Sequence, residues 1–369
     1  MKYVLSAFVM VLTAGLSAAA PDPVAIELKG LVDDVASVLR KQDQTSIRIG
    51  KFTGDGDVPS HFGPEIQRLL IAGFKTNNVT VSKDALIEIK GDYAPATEDP
   101  SAPGLNQMFV RISAKLVNTK TRLELAGVSI VSRAIHGNEA LAKAFAPTTT
   151  LPPSADRQTR NDGIRDAIEK PNANVANTKV RSSASSPFAV EILVVNTATA
   201  PNPAAGVPVS LKDGLAFVDV KKGQSYRVKI HNGADFDVAV KLSIDGLDQY
   251  VFADNEHCKP DGTSKFEYLI IPKRSTYAIN GWFRNLKRAD AFTVDDYAKG
   301  AVAELNASQG DVGQIAVAFH AAWDTEEELR KESAKDAATR RGDPVDTNLK
   351  LVSKFIGVCR DQVSVRYLK

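Results

Sequence analysis

The sequence predicts an α+β protein in which a small α/β-layered amino-terminal domain is joined by a flexible linker to an Ig-like β-sandwich. Three observations lead there. Between residues 24 and 145, runs of helical period are followed by runs of period two; residues 146–187 carry almost no large apolar side chains; and from Phe188 onward short strand-like runs are separated by Gly, Asn and Asp turns.

Ahead of the first domain, Lys2 precedes an apolar run from Val4 to Leu16 and then Ser17-Ala18-Ala19, the form of a secretory signal peptide over residues 1–19. Cleavage after Ala19 leaves about 350 residues, more than one hydrophobic core usually accommodates, so two domains are expected. The mature chain is expected to be exported, periplasmic or extracellular. No apolar run of spanning length follows residue 20, so no membrane span is expected after cleavage.

The first domain, 24–145, opens with AIELKGLVDDVASVL, whose Ile26, Leu31, Val35 and Val38 fall at helical spacing. IRIGKF then reads as a strand, TGDGDVPS as a turn, and PEIQRLLIAGFK as a helix with Pro64 in its first turn. VTVS, ALIEIKGDY, MFVRISAKLVN and LELAGVSIVS follow with period two, so helices packed on a mostly antiparallel sheet are expected. Residues 146–187 are rich in Pro, Ser, Thr, Asn and charge. Such a composition buries too little surface to offset ordering entropy, and a disordered tether is expected there, with one weak helical turn at Ile164 to Ile168.

The second domain, 188–323, contains FAVEILVV, LAFVDV, SYRVKIHN, DVAVKLSIDG, FEYLIIP, STYAINGW and GQIAVAFHAAW as strands, with DDYAKGAVAELNAS as a short helix between the last two. Residues 324–369 begin with a capping box, Thr325 and Glu328, that starts a charged helix. LKLVSKFIGVC and VSVRYL are expected as a closing hairpin turning at Arg360-Asp361. Only two cysteines occur, Cys258 and Cys359. An even count in an exported chain reads most simply as one disulfide.

A formal charge of +2, with both signs scattered along the chain, leaves no electrostatic footprint for nucleic acid. Gly54-Asp55-Gly56 lacks the Gly-Lys-Ser/Thr of a phosphate loop and reads as a turn. Asp254, Glu256, His257 and Cys258 crowd together, but neighbours on an extended chain point apart and no second His/Cys cluster exists, so no metal site is expected. HExxH and GxSxG are both missing, no catalytic residues stand out, and no cofactor is implied. The strongest surface candidates are Trp282, Phe283 and Arg284, because a flat aromatic beside an Arg suits stacking on a sugar or a partner side chain.

IRIGKFTGDG, GPEIQRLLIAGF, ALIEIKGDY with its Gly91, and VRISAKLVNTKTR together resemble the α/β domain of bacterial envelope assembly proteins, of the TolB amino-terminal and curli secretion lipoprotein kinds. The resemblance covers residues 24–145 and rests on layout. The chain departs from it in lacking a lipidated amino-terminal Cys and in continuing into a sandwich rather than a propeller. Residues 188–323, with GLAFVDVKKGQSYRVKIHN and YAINGWFRN, resemble a β-sandwich module of uncharacterised exported bacterial proteins. The expected role is a non-catalytic exported binding or scaffolding protein of the cell envelope, whose partner is an envelope protein or a cell-wall glycan. The alternatives are an envelope-polymer hydrolase and a carbohydrate-binding module using Trp282.

Overall fold

The computed structural model of the chain describes residues 10–13, 23–54, 62–97, 108–125, 131–195, 204–259, 263–295, 313–332 and 350–367. Among the described residues strand outweighs helix, 47% against 22%, which is compatible with an α+β chain containing a sandwich.

The first lobe is a five-stranded sheet covered on one side by helices. Helix α1, Pro23–Lys41, buries Val24, Leu28, Leu31, Val32, Val35 and Leu39, a stripe at intervals of three and four residues. Its phase differs from the expected one, because Ile26 is 49% exposed. The strand Ser46–Gly54 leads into α2, Gly63–Thr76, with Pro in its first turn as predicted. The sheet runs 80–81, 46–54, 87–96, 109–118, 131–135. Ser46–Gly54 pairs parallel with Ile87–Ala96, since α2 carries the chain across between them, and the later neighbours are antiparallel. Gly91 is required where this sheet kinks, for a Cβ there would lie 1.9 Å from the Ser113 carbonyl oxygen.

The segment 146–187 is not a disordered tether. It contains the strand Thr149–Thr150, helix α4, Arg157–Glu169, which follows α3, Asn138–Phe145, and the hairpin of Asn174–Ala176 with Lys179–Arg181. Leu151, Ile164 and Ile168 enter the first lobe's core, while Ala173 and Val180 enter the second lobe's. Composition misled because this segment builds no core of its own. Its few apolar residues are divided between two existing cores, each fully buried Ile gaining about 1.5–3 kcal/mol. The Asp156 carboxylate caps α4 by accepting the Thr159 N–H at 2.8 Å.

The second lobe packs two sheets face to face. The smaller is ordered 281–285, 288–293, 225–232, 188–195, 179–181, 174–176, with 204–206 beside 188–195 and 275–279 beside 225–232. The larger is ordered 209–212, 215–218, 355–367, 314–323, 237–244, 266–271, 10–13, 350–351, with 149–150 and 247–248 on its flanks. Phe188, Val190, Val228, Val240, Val317, Phe319 and Val363 fill the space between, and the Phe188 and Phe319 rings stack at 4.9 Å.

Two further expectations are corrected. Residues 355–367 form one continuous strand through Arg360-Asp361 rather than a hairpin, and that strand lies inside the larger sheet, between 215–218 and 314–323. The carboxyl-terminal residues 350–367 therefore belong to the sandwich instead of following it. A β-bulge at Phe319 to Ala322 absorbs the polar Arg360-Asp361 pair that suggested a turn. The capping box is present: the Thr325 hydroxyl accepts the Glu328 N–H at 3.2 Å, and the Glu328 carboxylate accepts the Thr325 N–H at 3.1 Å, opening α5, Glu326–Glu332. Within the segment read as a signal peptide, Met10–Thr13 pairs antiparallel with Phe266–Ile271 and parallel with Lys350–Leu351. The leader's cleavage residues, the 296–308 helix and the 333–341 part of the charged helix lie outside the described residues. Among the described residues no helix is long and apolar enough to cross a membrane.

Candidate functional site at the seam between the lobes

The strand Gln314–Trp323 is buried on both faces, which is the key to the site. Ile315, Val317 and Phe319 point into the sandwich, leaving Gln314 and Ala316 on the opposite face, where the Gln314 side chain faces the Ala146 carbonyl. The seam is closed by hydrogen bonds. The Gln362 Nε2 donates to the Ala142 carbonyl at 2.9 Å, the Leu151 N–H to the Arg360 carbonyl at 2.8 Å, and Arg160 to the Cys359 carbonyl at 2.7 Å. Thr149–Thr150 pairs antiparallel with Asp361 and Gln362.

Several titratable groups displaced from their ordinary behaviour lie around this seam. Glu65 on α2 is 4% exposed and is held by Arg68 at 2.6 Å and by Lys143 of α3 at 2.9 Å. Burial pushes its pKa up, but the two cations outweigh burial and hold the carboxyl at about 2. Asp248 of the second lobe lies within the field of Glu65 and Arg68. Burial, reinforced by Glu65, raises it to about 6 against the opposing pull of the Tyr250 N–H and Lys241. The Lys241 ammonium lies 4.6 Å over the Tyr268 ring, whose edge meets His320 at 5.4 Å. Burial, with the Lys241 charge, pushes His320 down to about 3, so it is neutral at pH 7, and its Nδ1 is 3.2 Å from the Gly357 carbonyl.

At the neighbouring end of the sandwich, Asp361 is 1% exposed. Ser186 donates its hydroxyl to one carboxylate oxygen at 2.5 Å, and the other oxygen has no hydrogen-bond partner. Burial pushes this carboxyl up to about 7, only partly offset by the Ser182 and Ser186 hydroxyls and the Gln362 N–H. Thr150 extends the chain of hydroxyls through Ser182 at 2.8 Å. Among the described residues, no group of three or more His, Cys, Asp and Glu is placed to hold a metal ion.

The residues singled out in the sequence lie elsewhere. Trp282 meets Phe252 at 5.4 Å and Phe292 at 5.3 Å, both edge-on, and packs at the margin of the sandwich core; Phe283 is inside that core. Arg284 is clamped by Asp254 at 2.9 Å and Asp290 at 3.0 Å, and Asp254 also accepts from Asn285. The three are neighbours, then, but their rings and charge are turned to the protein's own residues. Cys258 and Cys359 are not joined, which corrects the expected disulfide. The Cys258 thiol donates to the Ala253 carbonyl beside the sandwich, whereas Cys359 donates to the Asp361 carbonyl and packs against the first lobe's core. Residues 55 and 56 of the glycine-rich turn lie outside the described residues.

The seam residues Glu65, Asp248, His320 and Asp361 were missed by sequence reasoning. One signal was present: in QIAVAFHAAW the alternate positions carry Ala rather than charge, the pattern of a strand covered on both faces. Comparison with family models, curated proteins and solved structures finds no match for this chain. The fold and site by themselves define a two-lobed α+β protein whose lobes share a sheet face.

Proposed function

We propose that the chain is a non-catalytic, exported binding or scaffolding protein of the bacterial cell envelope, with an Ig-like second lobe and a first lobe of the TolB and curli secretion kind. The observation that carries the reading is that buried charge is matched inside each lobe while hydrogen bonds close the seam between them. Glu65 is locked by Arg68 and Lys143, His320 is kept neutral, and Lys354 is held by Asp237 at 2.8 Å and Asp324 at 2.6 Å. Across the seam the Gln362 Nε2 donates to the Ala142 carbonyl, the Leu151 N–H to the Arg360 carbonyl and Arg160 to the Cys359 carbonyl; these bonds hold one lobe against the other, so the molecule presents a rigid pair of surfaces to a partner. Export rests on Lys2, the Val4–Leu16 run and Ser17-Ala18-Ala19.

The test immobilises the purified mature chain and passes solubilised native envelope and cell-wall glycan over it. Saturable retention of a defined envelope protein supports the reading. Turnover of an envelope polymer by the pure chain overturns it, and glycan retention lost in Trp282→Ala replaces it with the carbohydrate-binding module.

A further inference from the structure

In the larger sheet the strand 314–323 is covered on both faces, but the smaller sheet has one face turned away from the sandwich core, and its composition is unusual. Register brings the outward residues of five adjacent strands into rows. One row reads Asn174, Arg181, Ala189, His231, Thr276; the next reads Ala176, Lys179, Glu191, Lys229, Ala278; Arg227 follows opposite Leu193. Val180, Val190, Val228 and Ile230, at the alternate positions, are core residues, which fixes the direction of the set.

Lys179, Arg181, Arg227 and Lys229 therefore surround one acid, Glu191. That acid is not displayed: it is 8% exposed and accepts from Thr178 at 2.7 Å, His231 at 3.0 Å and Lys229 at 3.3 Å. Gly206 lets it sink, since a Cβ there would lie 2.6 Å from its Oε1. Glu191 thus anchors Lys229 and His231. Lys179, Arg181 and Arg227 form no ion pair among the described residues, and the Arg181 Nε is buried without an acceptor.

The outward face of the first lobe's sheet makes the contrast. There Arg48 and Lys90 reach Glu88 at 3.1 and 3.9 Å, and Lys115 reaches Glu124 at 2.8 Å, so these three cations are matched by acids on the same face. We propose that the outward face of the smaller sheet, around Lys179, Arg181, Arg227 and Lys229, docks an acidic extended segment of a partner protein. The proposal rests on the binding role and names the chemistry of its partner. Cations on one strand face repeat every ~6.8 Å, the interval at which alternate acidic residues of an extended peptide recur. Small area and a chain charge of only +2 favour a short acidic peptide over nucleic acid.

The experiment measures fluorescence anisotropy of a labelled oligoglutamate peptide against the full chain, Lys179→Glu/Arg227→Glu, and the control Lys51→Glu/Arg111→Glu on the first lobe. All three are first matched by circular dichroism and melting temperature. Saturable, salt-sensitive binding is expected, weakened at least about tenfold in Lys179→Glu/Arg227→Glu and changed less than about twofold in the control. Equal weakening in both variants, or no saturable binding to the full chain, overturns the proposal. So does displacement of the peptide by anionic vesicles, duplex DNA or an acidic polysaccharide at lower charge concentration than by unlabelled peptide. Should the peptide fail while a defined envelope protein is still retained, only the docking face falls; polymer turnover by the pure chain removes the binding role itself.

Discussion

Asp361→Asn should stabilise the protein above neutral pH. In the folded chain this carboxyl is raised from 3.8 to about 7 by burial, so between those values the folded state holds a proton that the unfolded state releases. Stability contributed by the protonated group is therefore complete below pH 4 and lost as pH rises toward 7, a loss of about 4 kcal/mol by pH 8. Asparagine keeps an oxygen to accept the Ser186 hydroxyl and never ionises. Other groups titrate over the same range: His320, depressed to about 3, makes the fold less stable as pH falls below 6.5. Comparing variant with wild type cancels them. Urea unfolding followed by Trp282 and Trp323 fluorescence at pH 4 and pH 8 should give a variant advantage that grows by several kcal/mol, up to about 4, at the higher pH. An advantage that stays constant across the two pH values refutes the burial argument for Asp361.

Ile164→Ala, at a fully buried position of the segment once read as a tether, should cost about 2–5 kcal/mol in the same assay; a neutral effect contradicts its place in the first lobe's core. Glu65→Gln leaves Arg68 and Lys143 without their shared carboxylate and should cost about 3 kcal/mol at pH 7. That cost should shrink as pH falls from 4.5 toward about 2, where the wild-type carboxyl is itself protonated, and acid titration of both proteins by circular dichroism checks it. Thiol labelling of unreduced, denatured protein should modify both Cys258 and Cys359; a mass two hydrogens short, with no labelling, restores the disulfide.

Local chemistry was legible in the sequence where neighbours along the chain decide structure. The Thr325–Glu328 box, Pro64 in α2 and the period-two strands around Val228 and Val240 all form as their side chains dictate. What failed was inference about partners distant in sequence. Ile164 and Ile168 looked too sparse to order residues 146–187, yet each fills a place in a core built by other segments. Arg360-Asp361 looked like a turn because two polar residues interrupt an apolar run, but the Asp361 carboxyl is met by Ser186 from the turn between the strands 179–181 and 188–195. Similarly, α1 was read with Ile26 inward because spacing gives a stripe without fixing its rotation; the sheet it covers selects Leu28 and Leu39 instead. The seam groups were invisible for the same reason, since Glu65 and Asp248 are far apart in the chain and Glu65 acts on the Asp248 carboxyl only through the packing of the lobes.

Residues 146–187 lock the lobes together. Native-state hydrogen exchange at the Leu151 and Ala173 amides, bonded to the Arg360 and Gly214 carbonyls, tests it most directly. Protection of both amides comparable to that of Val317 and Val363 in the larger sheet is the predicted result. Exchange at the rate of an unstructured peptide at either amide, while Val317 and Val363 stay protected, would contradict it.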